Sequence, residues 1–222
     1  MVDSKLYDLI KNTDFDKLFQ MKGYSYFKEG DYNLNIIGVR NLIEAVPSQM
    51  VSNRLLMVQR DKYDDAIIVT LKINGVWRRF VWAATTDPGL KLLKAPSNTA
   101  GTAILVPGQY KGVYKKDKHN GKYWAVCQRL GPVNVYRDNN KDNKLDMSSD
   151  SIQSGNFGIN IHRASAWNIS EVIGSYSAGC QVFKSYKDFD KFMELVDEAI
   201  KRYGNRFTYT LITSNDIRCS NK

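Results

Sequence analysis

The dipeptide Asn74-Gly75 lies inside "DDAIIVTLKINGVWRRFVWAATTD", between two runs rich in β-branched and aromatic residues. A two-residue hairpin turn needs positive φ at both central positions, which Asn and Gly adopt at low cost. Two antiparallel strands are therefore predicted here, and the rest of the chain must pack against their sheet. The segments "YNLNIIGVRN", "TAILVPGQY", "KYWAVCQRL", "PVNVYRD" and "RFTYTLI" supply further strands, separated by Pro, Gly and charged turns. "NFGINIHRA" alternates, with Phe157, Ile159 and Ile161 on one face and Gly158, Asn160 and His162 on the other. His162 falls at that strand's end, and the polar connection 164–175 has room for a short helix.

Helical signals sit at the two ends. Residues 4–21 carry Leu6, Leu9, Ile10, Phe15, Leu18 and Phe19 at a spacing that suits one or two short amphipathic helices. "SYKDFDKFMELVDEAIKRYG" has a capping box, Ser185 with Asp188, an apolar stripe from Phe189 to Ile200, and Gly204 as its stop. The fold class read from these patterns is α+β, predominantly β. A helical leader spans 1–45, a single β-rich domain spans 46–215, and 216–222 is a polar tail.

The 222 residues are 43% hydrophobic, enough to bury a substantial core. A net charge of +9 favours anionic partners such as nucleic acid, a membrane surface or an anionic cell-wall polymer. No RRM, zinc finger or basic heptad segment supports nucleic acid. No segment approaches the roughly 18 apolar residues of a membrane span, and the N-terminus lacks an export signal, so synthesis as a soluble protein is expected. Cys127, Cys180 and Cys219 form no C-x-x-C pair and no disulfide framework, which points to reduced thiols.

Cys180 is the residue that could carry chemistry. In "IGSYSAGCQVF" it follows a small-residue turn and precedes a short β segment, 18 positions after His162. An imidazole within hydrogen-bond reach can take a thiol proton, and the amides around Gly179 and Cys180 can face a developing oxyanion. Ser177 can orient the turn. On spacing alone the same residues also suit a buried packing thiol and a strand-end histidine. His119, in the basic run "KGVYKKDKHNGK", either lines the cleft or belongs to a surface hairpin loop.

"IHRA" followed by "SAGC" resembles the catalytic signature of the L,D-transpeptidase (YkuD-like) family, in which a histidine precedes a Ser-His-Gly-Cys stretch. Ser177, Gly179 and Cys180 stand in register, with His162 upstream, and "SAGCQVF" looks like a divergent phage-type branch. The resemblance covers residues 155–185. It implies a β-sandwich or barrel-like sheet with a flanking C-terminal helix, and no metal. Cys180 would be the acyl-accepting nucleophile and His162 its base, with Ser177 and Gly179 completing the catalytic turn. Arg163, Asn160, Gln181 and His119 would contact substrate. The implied activity is cysteine-dependent acyl transfer on peptidoglycan stem peptides through a thioester. Water as acceptor makes an L,D-peptidase or carboxypeptidase of endolysin type, and another stem peptide makes 3-3 cross-links. A non-catalytic basic module binding cell wall or a virion partner is the alternative. Without an export signal, a phage lysis or virion protein that degrades the cell wall is expected. The chain departs from the family pattern at Ala178, Arg163 and Val182.

One further motif stands apart. "DNNKDNKLD" places Asp138, Asn140, Asp142 and Asp146 at positions 1, 3, 5 and 9 of an EF-type calcium loop. Asn143 replaces the usual glycine and Ser149 the bidentate glutamate, so an Asx-rich turn joining strands competes with a calcium site.

Overall fold

A computed structural model describes residues 1–42 and 61–221. The hairpin forms as expected. β2 (Asp65–Ile73) and β3 (Val76–Thr85) pair antiparallel down to Ile73 opposite Val76. Asn74 and Gly75 take φ of 53° and 73°, and both turn amides donate to the Asp31 carboxylate.

Around this ribbon an eight-stranded sheet closes into a barrel. The other six strands are β1 (Asn35–Arg40), β5 (Gly108–His119), β6 (Tyr123–Gln128), β9 (Ile161–Arg163), β10 (Gln181–Phe183) and β11 (Phe207–Thr213). Their order around the wall is β1-β11-β5-β6-β9-β10-β3-β2, with β1 parallel to β11 and β9 parallel to β10. After α3 (Leu90–Lys94), a separate antiparallel sheet joins β4 (Thr102–Leu105), β7 (Val133–Asp138) and β8 (Gln153–Gly155). The chain is thus mostly β with a few helices, and closure removes the exposed edges that an open sheet would leave.

Two apolar clusters follow from the alternation of side chains along each strand. Ile36, Ile67, Val69, Leu71, Tyr114, Ile161, Phe183 and Tyr209 share the inner cluster with α4 (Tyr186–Tyr203), which contributes Phe189, Phe192, Met193, Val196 and Ala199. The intervening residues Ile37, Val39, Ala66, Ile68 and Ile212 pack outward against α1 (Ser4–Lys11), α2 (Phe15–Met21) and Ile217 of α5 (Ser214–Ser220). At the start of α4 the Ser185 side chain accepts from the Asp188 amide, and Gly204 follows the last turn at φ 80°.

Three boundaries differ from the sequence reading. β1 belongs to the barrel wall, between β2 and β11, so the leader within 1–45 is helical only in its first half. The expected boundary at 45/46 lies outside the described residues. The stretch 214–220 is a helix rather than a polar tail: Thr213 and Asp216 form a reciprocal capping box, and Ile217 is fully buried. The connection 164–175 contains no helix.

The interior also holds polar groups that brace the wall. The Tyr209 hydroxyl donates to Gln181 Oε1 at 2.8 Å, and Gln181 Nε2 donates to the Gly179 carbonyl at 3.1 Å. All three residues are buried. Tyr209→Phe should leave Gln181 Oε1 unpaired and cost about 1–3 kcal/mol, read as a lower denaturation midpoint with unchanged slope.

Candidate functional site

β9 and β10 run side by side, with Gln181 opposite Ile161 and Val182 opposite His162. Cys180, one residue before β10, therefore lies alongside Asn160. Because neighbours two apart on a strand share a face, Cys180, Val182, Asn160 and His162 all face away from the Ile161–Phe183 interior. Two residues along and one strand across puts the Cα atoms of Cys180 and His162 roughly 8 Å apart.

The turn before the cysteine is built from main-chain constraints. Gly179 has φ 115°, and a Cβ there would sit 2.2 Å from the Ala103 carbonyl oxygen. Only glycine fits. Ser177 is fully buried; its hydroxyl donates to the Cys180 carbonyl at 2.8 Å and accepts from the Gly179 amide at 3.2 Å. The Gly179 N–H is thereby committed to the turn. The Cys180 N–H donates to no acceptor among the described residues, which leaves it available for an oxyanion.

Cys180 is partly exposed as a residue, while its thiol is enclosed by its neighbours. Its Sγ accepts from the Asn160 amide at 3.4 Å and donates to the Gly158 carbonyl at 3.4 Å. Burial of its surroundings pushes the thiol up to about 11, against the relief offered by the Asn160 amide. His162 is 4% exposed, and its Nδ1 lies 2.8 Å from the Arg163 carbonyl. A carbonyl only accepts, so Nδ1 carries the proton and Nε2 presents a lone pair, as a base requires. Burial, and then His119 beside it, hold His162 down to about 3. The pair therefore rests neutral at pH 7. No hydrogen bond joins Cys180 to His162 among the described residues.

His119 comes from the end of β5 and stacks on His162, with ring centroids 4.1 Å apart and planes at 24°. It belongs to the site rather than to a free surface loop. The sequence carried no signal for this contact, which depends on β6 bridging β5 and β9. Tyr123 is a second residue missed at sequence level. Its hydroxyl lies 3.2 Å from both His162 Nδ1 and the Arg163 carbonyl, and donates to the carbonyl.

The expected substrate contacts divide. Arg163 stacks its guanidinium 4.6 Å from the Tyr123 ring centroid and faces Asp190 at 3.8 Å, remaining partly exposed. Asn160 is 4% exposed and spends its side chain on Gln128 and His119, so it orients the site. Gln181 is a correction: it is fully buried and bonded to Tyr209 and Gly179, because the residue after an outward-facing cysteine points into the barrel.

The acidic loop closes on itself. Asp138 accepts from the Asp146 amide, Asn140 from the Asp142 amide, and Asp142 from the Lys144 amide, while Asn140 donates to Asp146. Among the described residues no group of three His, Cys, Asp or Glu side chains is arranged to hold a metal ion. Asp138 is 1% exposed, and burial, with Asp146 and Asp142 nearby, raises its carboxyl above the usual range. A carboxyl raised in the folded state contributes stability below its unfolded value that is lost as pH rises through the folded one. In EDTA, Asp138→Asn should therefore raise the melting temperature at pH 7, and the gain should vanish below about pH 3.5, where the wild-type carboxyl is protonated in both states. Thermal melts of both proteins across pH 3–8 check this.

No helix among the described residues is long and apolar enough to cross a membrane. Comparisons of the chain with protein-family models, curated proteins and solved structures found no match.

Proposed function

We propose that this protein is a cysteine-dependent acyl-transfer enzyme acting on peptidoglycan stem peptides, with water as the acceptor. The observation that carries the reading is the coincidence, on adjacent parallel strands, of a partly exposed cysteine, a main-chain amide at the same residue with no acceptor among the described residues, and an imidazole whose Nδ1 proton leaves the lone pair on Nε2. That combination supplies a nucleophile, an oxyanion donor and a base. The resemblance of "IHRA…SAGC" to the L,D-transpeptidase signature names the substrate class.

The reaction balances in two steps. Cys180 Sγ adds to the peptide carbonyl carbon as its proton passes to His162 Nε2, and the Cys180 N–H stabilises the oxyanion. The C–N bond then breaks as the imidazolium protonates the departing amine, leaving a thioester. In the second step His162 takes a proton from water, the hydroxide adds to the thioester carbonyl, and the thiolate leaves and is reprotonated. A thiol near 11 and an imidazole near 3 do not form an ion pair at rest. Proton transfer must therefore accompany attack, with the thiol turning from its Gly158 and Asn160 partners toward His162.

The resting protonation states favour a second reading, a basic β domain that grips anionic wall polymer without turnover. Incubating purified peptidoglycan with the protein and analysing the muropeptides by mass spectrometry separates the two. Hydrolysis yields shortened stems, cross-linking yields 3-3 dimers, and a binding module leaves the profile unchanged while sedimenting with the wall.

A further inference from the structure

We propose that His119 is a positioning residue, the outer ring of an imidazole stack that covers one face of the base and is tied to the nucleophile through Asn160. The inference rests on the assignment of Cys180 and His162 as nucleophile and base, and gives His119 a role other than substrate contact.

The geometry centres on Asn160. Its main-chain N–H donates to Cys180 Sγ at 3.4 Å, while its side-chain Nδ2 lies 3.0 Å from His119 Nδ1. The orientation of that amide is set by Asn160 Oδ1, which accepts from the Gln128 N–H at 3.0 Å. The –NH₂ group must therefore face His119, whose Nδ1 accepts; the neutral ring then carries its proton on Nε2, so the exposed Asn120 amide, whose nitrogen lies 3.1 Å from Nε2, must turn its oxygen there to accept. One residue thus holds the sulfur with its backbone and the outer ring with its side chain.

The stack then decides how the base meets solvent. His119 is half-buried, and His162 beneath it is 4% exposed. A proton on either ring disfavours one on the other at 4.1 Å between centroids. The groups around the pair reinforce this. Its own burial, then Arg129 beyond β6 and Lys122 in the adjoining turn, lower the affinity of His119 for a proton. Asp117, the nearby acid on β5, is engaged with Arg129. From β6 the Tyr123 ring packs 5.5 Å from His119, and Arg163 of β9 lies over that tyrosine while facing Asp190 of α4. Burial holds the base neutral and lone-pair-bearing at acidic pH, and the outer ring, which covers it, adds to both that burial and the charge repulsion. That ring also covers one face of the His162 ring, so the peptide and, after acyl transfer, the hydrolytic water must reach Nε2 past it.

The chain has only two histidines, so replacing His119 leaves a single imidazole to observe. The test is the titration of His162 by NMR of ¹³C-histidine-labelled full-length protein, in wild type, His119→Phe and His119→Ala. His119→Phe keeps a stacked ring without a charge, and His119→Ala opens the site to water. The midpoint of His162 should rise by roughly one unit or more in His119→Ala and by less in His119→Phe. Asn160→Asp, which retains an acceptor for the Gln128 amide, serves if either variant fails to fold, and should raise the midpoint of His119 instead. The acid limb of wall-peptide cleavage should move to higher pH in step with His162. An unchanged His162 titration in folded His119→Ala and His119→Phe, or an unchanged His119 titration in Asn160→Asp, overturns the inference. Absence of turnover in wild type, with the NMR shifts present, would instead overturn the enzymatic assignment while upholding the coupling of the rings.

Discussion

Cys180→Ala is expected to reduce release of wall peptides by on the order of 10⁴-fold or more, because no other described group can accept the acyl chain at this site. Cys127 is fully buried, and burial pushes its thiol up to about 11. Cys219 is exposed on α5, whose buried contacts run to α1 and α2 rather than to β9 or β10. Cys219→Ser should therefore retain full activity, and makes the proper background for thiol labelling. Since Cys180 packs beside Val182, Ile173 and Tyr63, losing its sulfur should cost only about 1–2 kcal/mol and leave the fold intact. A loss of activity with an intact fold separates chemistry from structure. If Cys180→Ala releases peptides at the wild-type rate, the thiol is not the nucleophile.

A second large effect is expected at Gly179. Its φ of 115° disfavours any L side chain, and the missing Cβ is replaced by the Ala103 carbonyl oxygen of β4, only 2.2 Å away from where that carbon would lie. Backbone cannot step aside as a side chain can, so Gly179→Ala should cost about 3 kcal/mol or more, a drop of roughly 6–12 °C in melting temperature for a domain of this size. Gly174 in the same loop provides the control. It too has positive φ, 55°, but a Cβ there meets nothing within 4 Å. Gly174→Ala should cost only about 1 kcal/mol, the strain of the backbone alone. Equal melting temperatures for the two variants would show that the β4 contact does not constrain the cysteine turn.

The parts of this molecule that were legible in its sequence are those fixed by short-range rules. Asn74-Gly75 demanded a hairpin, and the Phe189–Ile200 stripe with Ser185 and Gly204 at its ends demanded a helix. The pairing of His162 with Cys180 rested on a local signature, and the strand register then placed them on neighbouring strands. Other features depended on parity or on distant pairing. Gln181 could have been excluded from the substrate side by the alternation that turns Cys180 outward. α5 announced itself through the Thr213–Asp216 capping box, a signal outweighed by the polar composition of its seven residues. The His119–His162 stack had no local signal, because 43 residues separate the rings and only the β5–β6–β9 pairing brings them together. Asn160 read as a substrate contact on the polar face of an alternating strand, whereas its side chain is buried against Gln128 of β6 and His119 of β5.

The assignment of Cys180 as acyl acceptor can be examined without waiting for product analysis. The Cys219→Ser protein, incubated with purified stem tetrapeptide and quenched in acid, should show by intact-mass spectrometry a population heavier by one acyl group. Peptide mapping should place that mass on Cys180, and hydroxylamine should remove it as expected of a thioester. Absence of any adduct at saturating peptide, or the same adduct in a Cys180→Ala protein, would contradict the proposed chemistry.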